Sequence, residues 1–242
     1  MISNHILTLI SDIAVLFPVF LLVFTFRGFF QALIAKCFGD DTAQREGFLT
    51  GNPLAHVDIF GLSIILVVFF FLGSLVPGSY SRQYLFLLLI MFGIRWSIPV
   101  PFDDQNFKHY RLGGILTSLA GPFANFLLAF LGVVAIKILV FGGLSIPNNI
   151  LFTIRDICVK LVDFAIWFAL IDLIPVPPFD GGRALRYIFP PNKQSALDWL
   201  EEYSFYIFLI LFFMPVVSDV FLGGMSFFSM VIKRIMFTLV LF

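Results

Sequence analysis

The stretch FTFRGFFQALIAK, residues 24–36, is apolar around most of a helix yet carries Arg27 and Gln31 four residues apart. Residues at i and i+4 share a helix face, so a guanidinium and a primary amide stand one above the other on a helix that otherwise reads as membrane-embedded. An Arg in such a helix faces the protein interior with a partner, or reaches along its stem to the membrane edge. The nearest edge is marked by Lys36, nine residues on, about 13 Å of helix.

The whole chain has the same character. Its 242 residues are 60% hydrophobic and 12% charged, with a mean hydropathy of +1.02. Soluble domains carry about 25% charge, so the composition predicts an integral membrane protein in a lipid bilayer. Fifteen basic residues balance fifteen acidic ones without a basic patch, which argues against a nucleic-acid partner. Cys37 and Cys158 form no framework and no CxxC spacing, and read as small apolar residues. The 34 Phe residues read as compositional bias.

Apolar segments run over 6–35, 60–76, 84–98, 113–141, 154–174, 203–222 and 227–242. Crossing a bilayer takes about 20 helical residues, so the third and last are marginal and about six spans or half-spans are expected. The second and third read as a hairpin turned at PGSYSR (77–82). The first reads as a retained span, since it lacks a basic n-region and a small-residue cleavage site. With that hairpin, loops 36–58, 99–111 and 176–198 share one side and carry Lys36, Arg45, Lys108, Arg111, Arg183, Arg186 and Lys193. The opposite loops carry Arg82, with Arg155 just inside the next span, so the first group is expected in the cytoplasm. No repeat or second soluble domain is visible, and residues 1–242 read as one membrane domain.

Four stretches put helix breakers and polar atoms at membrane depth or at its edge: GNPLAHVDIFG (51–61), RWSIPVPF (95–102), SLAGPFANFLLA (118–129) and DLIPVPPFDGGRAL (172–185). Gly121 and Pro122 are expected to break a long apolar helix, with Asn125 either capping a freed carbonyl or contacting an extended peptide. Pro99 and Pro101 punctuate an extended segment. Asp180 follows a rigid proline run and precedes a Gly-Gly that permits close backbone approach; it also suits the N-cap of a helix starting near Arg183.

In order and content these stretches resemble the site-2 protease family of intramembrane zinc metalloproteases, in its compact bacterial branch. The similarity covers about residues 20–213. The resemblance implies an all-α polytopic helical bundle with a short Pro-rich extended segment near 96–102, in a bacterial inner membrane. It makes Asp180 the match of the family's carboxylate zinc ligand, and places Pro99, Pro101, Pro122 and Asn125 near bound substrate or partner.

The family's HExxH aligns with Arg27-Gly28-Phe29-Phe30-Gln31. Arg27 thus stands at the first histidine, Gly28 at the glutamate base and Gln31 at the second histidine. Two imidazoles and a carboxylate would give zinc three ligands and leave one place for water. Zinc lowers that water's pKa from ~16 to about 7, and the glutamate takes its proton. A guanidinium repels a dication, glutamine is a feeble ligand, and glycine accepts no proton. His5, His56 and His109 do not repair the set: His5 lies at the far end of the helix, His56 matches a family histidine that is not a ligand, and His109 sits in a polar loop. No catalytic residue, metal or cofactor is therefore expected, and Asp180 is the one retained ligand position.

The expectation is a pseudoprotease that holds or regulates a transmembrane protein or peptide segment, or serves as a subunit of a membrane complex. The alternative is an active intramembrane zinc metalloprotease with atypical ligands. A transporter lacks support: charges are too few for a relay and no inverted repeat is visible. Because the first-histidine and Asp180 positions converge on one metal in the family, Arg27 and Asp180 are expected within ~4 Å, with Gln31 donating to the second carboxylate oxygen or a nearby carbonyl.

Overall fold

The computed structural model describes residues 2–58, 98–142, 147–190 and 193–241. The expected hairpin of residues 60–98 and its turn at 77–82 lie outside the described residues, apart from Ile98. The chain is an all-α polytopic membrane protein. Its helices, numbered among the described residues, are α1 (Ile2–Cys37), α2 (Thr42–Arg45), α3 (Tyr110–Phe141), α4 (Asn148–Asp172), α5 (Asp180–Ile188), α6 (Gln194–Glu202), α7 (Ser204–Phe213) and α8 (Pro215–Leu241). Three carry stretches long and apolar enough to cross a membrane: Ala14–Cys37 in α1, Tyr110–Phe141 (α3) and Val216–Val240 in α8.

α3 is the hub, packed against α1, α4 and α5. The main core joins α1 (Val19, Phe20, Val23, Phe24), α3 (Leu128, Ala129, Val133, Ile136) and α4 (Leu161, Val162, Ala165, Ile166, Phe168). Four phenylalanines form the seam between α1 and α4. Phe20 meets Phe164 edge-on at 5.0 Å between centroids and Phe24 meets Phe168 at 5.2 Å, a favourable geometry for aromatic pairs.

Two boundaries differ from the sequence expectation. Gly121 and Pro122 do not break α3, which runs unbroken through both. A proline in a helix removes one N–H and frees one carbonyl, here that of Ser118, and side chains of α1 and α5 close on the helix at Gly121 beside that gap. The late apolar segments divide at Pro215, between α7 and α8, rather than between residues 222 and 227. Pro215 takes the first position of α8, where its missing N–H costs nothing, and Gly223 and Gly224 are absorbed inside that helix.

A buried carboxylate ties the end of α1 to the Pro-rich strap. α1 ends at Cys37, and Gly39, two residues on, turns the chain with a φ of +109° that only glycine adopts readily. Asp40 then turns inward. Its Oδ1 accepts from Thr42 N, Thr42 Oγ1 and Asn106 Nδ2 (3.1, 2.6 and 3.1 Å), and its Oδ2 accepts from Asp103 N at 2.9 Å. Residues 98–103 carry no helix, and Ile98 N donates to His56 O at 3.0 Å.

Burial pushes the Asp40 carboxyl up, but these four hydrogen bonds outweigh it and hold it below its ordinary 3.8. A depressed folded value adds stability that is complete above the unfolded pKa and lost as pH falls through the folded one. Asp40→Asn should therefore lower the melting temperature at pH 7, and the gap from the unmodified protein should close below about pH 4. Thermal unfolding in detergent between pH 3 and 8 checks this; a gap constant across that range would contradict it.

Candidate functional site

Arg27 and Gln31 lie on the face of α1 turned towards α3 and α5. They can approach because α3 offers Gly121 at the crossing. A Cβ there would sit 2.8 Å from Asp180 Oδ2, 2.9 Å from Arg27 Cγ and 3.0 Å from Gln31 Nε2. Asp180 is brought in by the turn that follows α4. Residues 173–179 fold back through the cis Pro177–Pro178 bond, and Gly181 and Gly182 press against the backbone of residues 173–177. Any side chain at either glycine would collide with that backbone, as the Gly-Gly pair predicts. α5 starts at Asp180 itself with Phe179 as N-cap, so Asp180 does not cap a helix beginning near Arg183.

Asp180 is fully buried. Arg27 Nη2 and Gln31 Nε2 both donate to its Oδ2, each at 2.8 Å. Arg27 Nε donates to Asp172 Oδ2, also at 2.8 Å. Gln31 thus shares the oxygen that Arg27 uses instead of taking the second one. The other oxygen, Oδ1, faces Arg183 Nη1 at 3.7 Å. The Arg27 and Arg183 guanidinium groups face the two carboxylates, which gives the buried Asp180 the opposite charge that a buried acid requires. A guanidinium forking between two acceptors gives strong, directional hydrogen bonds.

Asp172 was not singled out from sequence. It ends an apolar helix eight residues before Asp180, and a carboxylate on the last turn of a span was the available signal. His56 was also under-read. Its ring is fully buried and packs directly over Gly28, so closely that a Cβ at residue 28 would overlap the imidazole, lying 2.9 Å from Cε1. Its Nε2 lies 3.0 Å from Thr50 O, and a carbonyl partner fixes the proton on that nitrogen. Nδ1, buried with no hydrogen-bond partner among the described residues, is the lone-pair side. Burial pushes the imidazole below its ordinary pKa, against the opposing effect of the Thr50 carbonyl, so the ring is neutral at pH 7.

The remaining sites are distributed. Pro122 and Asn125 are buried on α3, and both amide atoms of Asn125 lack a hydrogen-bond partner among the described residues. Pro99 is exposed and Pro101 half-buried on the strap. His109 is exposed.

A curated protein of Bacillus subtilis (strain 168), named "Putative zinc metalloprotease YwhC", is 32% identical over 197 residues, 81% of this chain and 79% of that protein. The chain belongs to the YwhC family. No family profile and no solved structure matches it. The name of the YwhC relative implies zinc, and the donors here can be tested against that metal. Asp180 Oδ2 is taken by two N–H donors, Gln31 turns its nitrogen to that carboxylate, and Arg27 places positive charge against it, which repels a dication. His56 directs its N–H to Thr50 and its lone pair towards α1 at Gly28. Among the described residues no three His, Cys, Asp or Glu side chains group as a metal site. These residues do not fit zinc.

Proposed function

We propose that this membrane protein is a site-2 protease-like pseudoprotease, which keeps the family's helical frame and holds or regulates a transmembrane segment of another protein. The observation that carries this reading is the occupation of Asp180 Oδ2 by Arg27 and Gln31, both at 2.8 Å. These two residues stand where the family resemblance puts the histidine ligands, and Gly28 stands at the general base. The hydrolytic step needs a polarised water and a proton acceptor beside it. Here the guanidinium spends its donors on the two carboxylates, and glycine offers no acceptor.

The partner would lie along the buried polar edge of α3 at Asn125 and Pro122 and beside the strap at Pro99 and Pro101. The basic loops 36–58, 99–111 and 176–198 would face the cytoplasm of a bacterial cell, and the protein would act alone on its partner or as a subunit of a membrane complex. The name of the Bacillus subtilis relative favours a second reading, an active zinc metalloprotease with atypical ligands.

Cleavage of a single-span substrate in liposomes separates the two. The pseudoprotease reading expects no product above the protein-free control, with or without added zinc. Zinc-dependent cleavage abolished by a chelator would establish the second reading instead.

A further inference from the structure

Two aromatic rings cover the start of α3. The Phe107 ring presses on Gly113, where a Cβ would come within 2.8 Å of it, and the Tyr187 ring closes on Gly114 still more tightly. Phe107 belongs to the strap and Tyr187 to α5, so a seam between these two elements runs over this face of α3. Thr117 lies one turn further along α3, four residues from Gly113 and three from Gly114, and therefore beneath that seam. It is fully buried, and its hydroxyl has no hydrogen-bond partner among the described residues. A buried hydroxyl left without a partner is costly, and access of water relieves that cost.

The strap is held differently along its two edges. On the α1 side it is fixed by main-chain groups: Ile98 N donates to His56 O at 3.0 Å, Asp103 N to Asp40 Oδ2 at 2.9 Å and Lys108 N to Phe38 O at 2.9 Å. Val100 is buried there in one apolar cluster with Ala32, Ala43 and Phe48. Across the seam, towards α5, the contacts are between side chains. Tyr187 Oη donates to Asp104 Oδ2 at 3.2 Å, and the Arg183 guanidinium stacks over the Phe102 ring at 4.6 Å. Arg183 also faces Asp180 Oδ1 at 3.7 Å, so this fastening reaches the buried cluster. A segment tied by main-chain bonds along one edge and by two side-chain contacts along the other opens at the weaker edge.

We infer that the strap is a hinged cover, anchored on the α1 side and latched to α5 by Tyr187 and Arg183, whose release admits water and solutes to the α3 face at Thr117. The hinge is the row of bonds to His56, Asp40 and Phe38. The latch is the pair of contacts Tyr187–Asp104 and Arg183–Phe102. This device does not depend on whether Asp180 is catalytically silent.

The test uses the full chain in lipid nanodiscs, with Cys37→Ser and Cys158→Ala to remove the native thiols and Thr117→Cys as the reporter. A charged, water-soluble thiol reagent should label the reporter slowly while the latch is intact. Tyr187→Phe with Phe102→Leu removes both contacts across the seam and keeps the apolar bulk. It should speed labelling at least about tenfold, in line with the loss of one hydrogen bond and one cation–π contact. Tyr187→Phe alone, which keeps a ring on Gly114, should fall between, and decides the matter by itself if the double variant does not fold. Asp163→Asn, which cuts the contact between α4 and Lys233 of α8, should leave labelling unchanged. Hydrogen exchange over residues 103–108 should stay slow in the double variant, because the hinge bonds remain. Fast labelling in the chain with an intact latch, or a rate that the latch variants do not change, would overturn the inference. So would faster labelling accompanied by lost exchange protection over residues 103–108, which would show the strap unfolding as a whole.

Discussion

Asp180→Ala should lower the unfolding free energy of the purified protein by about 3 kcal/mol or more, within the range for removing one partner of a buried ion pair. The cost comes from what stays behind. Arg27 Nη2 and Gln31 Nε2 both lose this acceptor at once, while the Arg27 Nε bond to Asp172 stays. Asp180→Asn keeps the shape but removes the charge, and should fall between the alanine variant and the unmodified protein. Asp198→Ala supplies the reference: this aspartate is 64% exposed in its contact with Arg186, and such pairs contribute ~0.2–1 kcal/mol. Denaturation in detergent micelles gives all three values. A loss at Asp180→Ala no larger than that at Asp198→Ala would show that the buried cluster does not hold the helices together.

Introducing the HExxH of the family that the chain resembles, through Arg27→His, Gly28→Glu and Gln31→His, should fail on steric grounds before ligand chemistry is tested. The residue at 28 meets the His56 ring, and overpacking of this kind costs typically 1–3 kcal/mol. For a chain of this size that is a fall in melting temperature of roughly 2–12 °C. Adding His56→Ala should open the space and recover part of the loss, so residues 28 and 56 are coupled. Full proteolysis is not expected even then. Zinc ligands are oriented by the side chains around them, and here Asp172 is placed to accept from a guanidinium. Efficient cleavage by the triple variant with His56 intact would show that this packing argument is mistaken.

The membrane character was legible because composition and run length act over the whole chain. The Arg27–Asp180 contact, 153 residues apart, was legible from the family resemblance, which implies that these two positions converge. Asp172 escaped because its role depends on where the turn after α4 sends the chain, and a carboxylate at a helix end has many bland uses. His56 was read as lying outside the site. Its contact with Gly28 follows from loop 51–58 folding over α1, which no periodicity encodes. The unbroken α3 shows the limit of Pro and Gly as helix breakers: inside a bundle, packing on three sides overrides a single lost hydrogen bond.

The central claim is that a guanidinium and an amide occupy the position at which the family resemblance calls for a metal. Zinc content measured by mass spectrometry on protein purified without chelator, before and after incubation with excess zinc and desalting, tests it most directly. The account predicts substoichiometric zinc in both samples and no change on Asp180→Ala. Stoichiometric zinc that is lost in Asp180→Ala would contradict it.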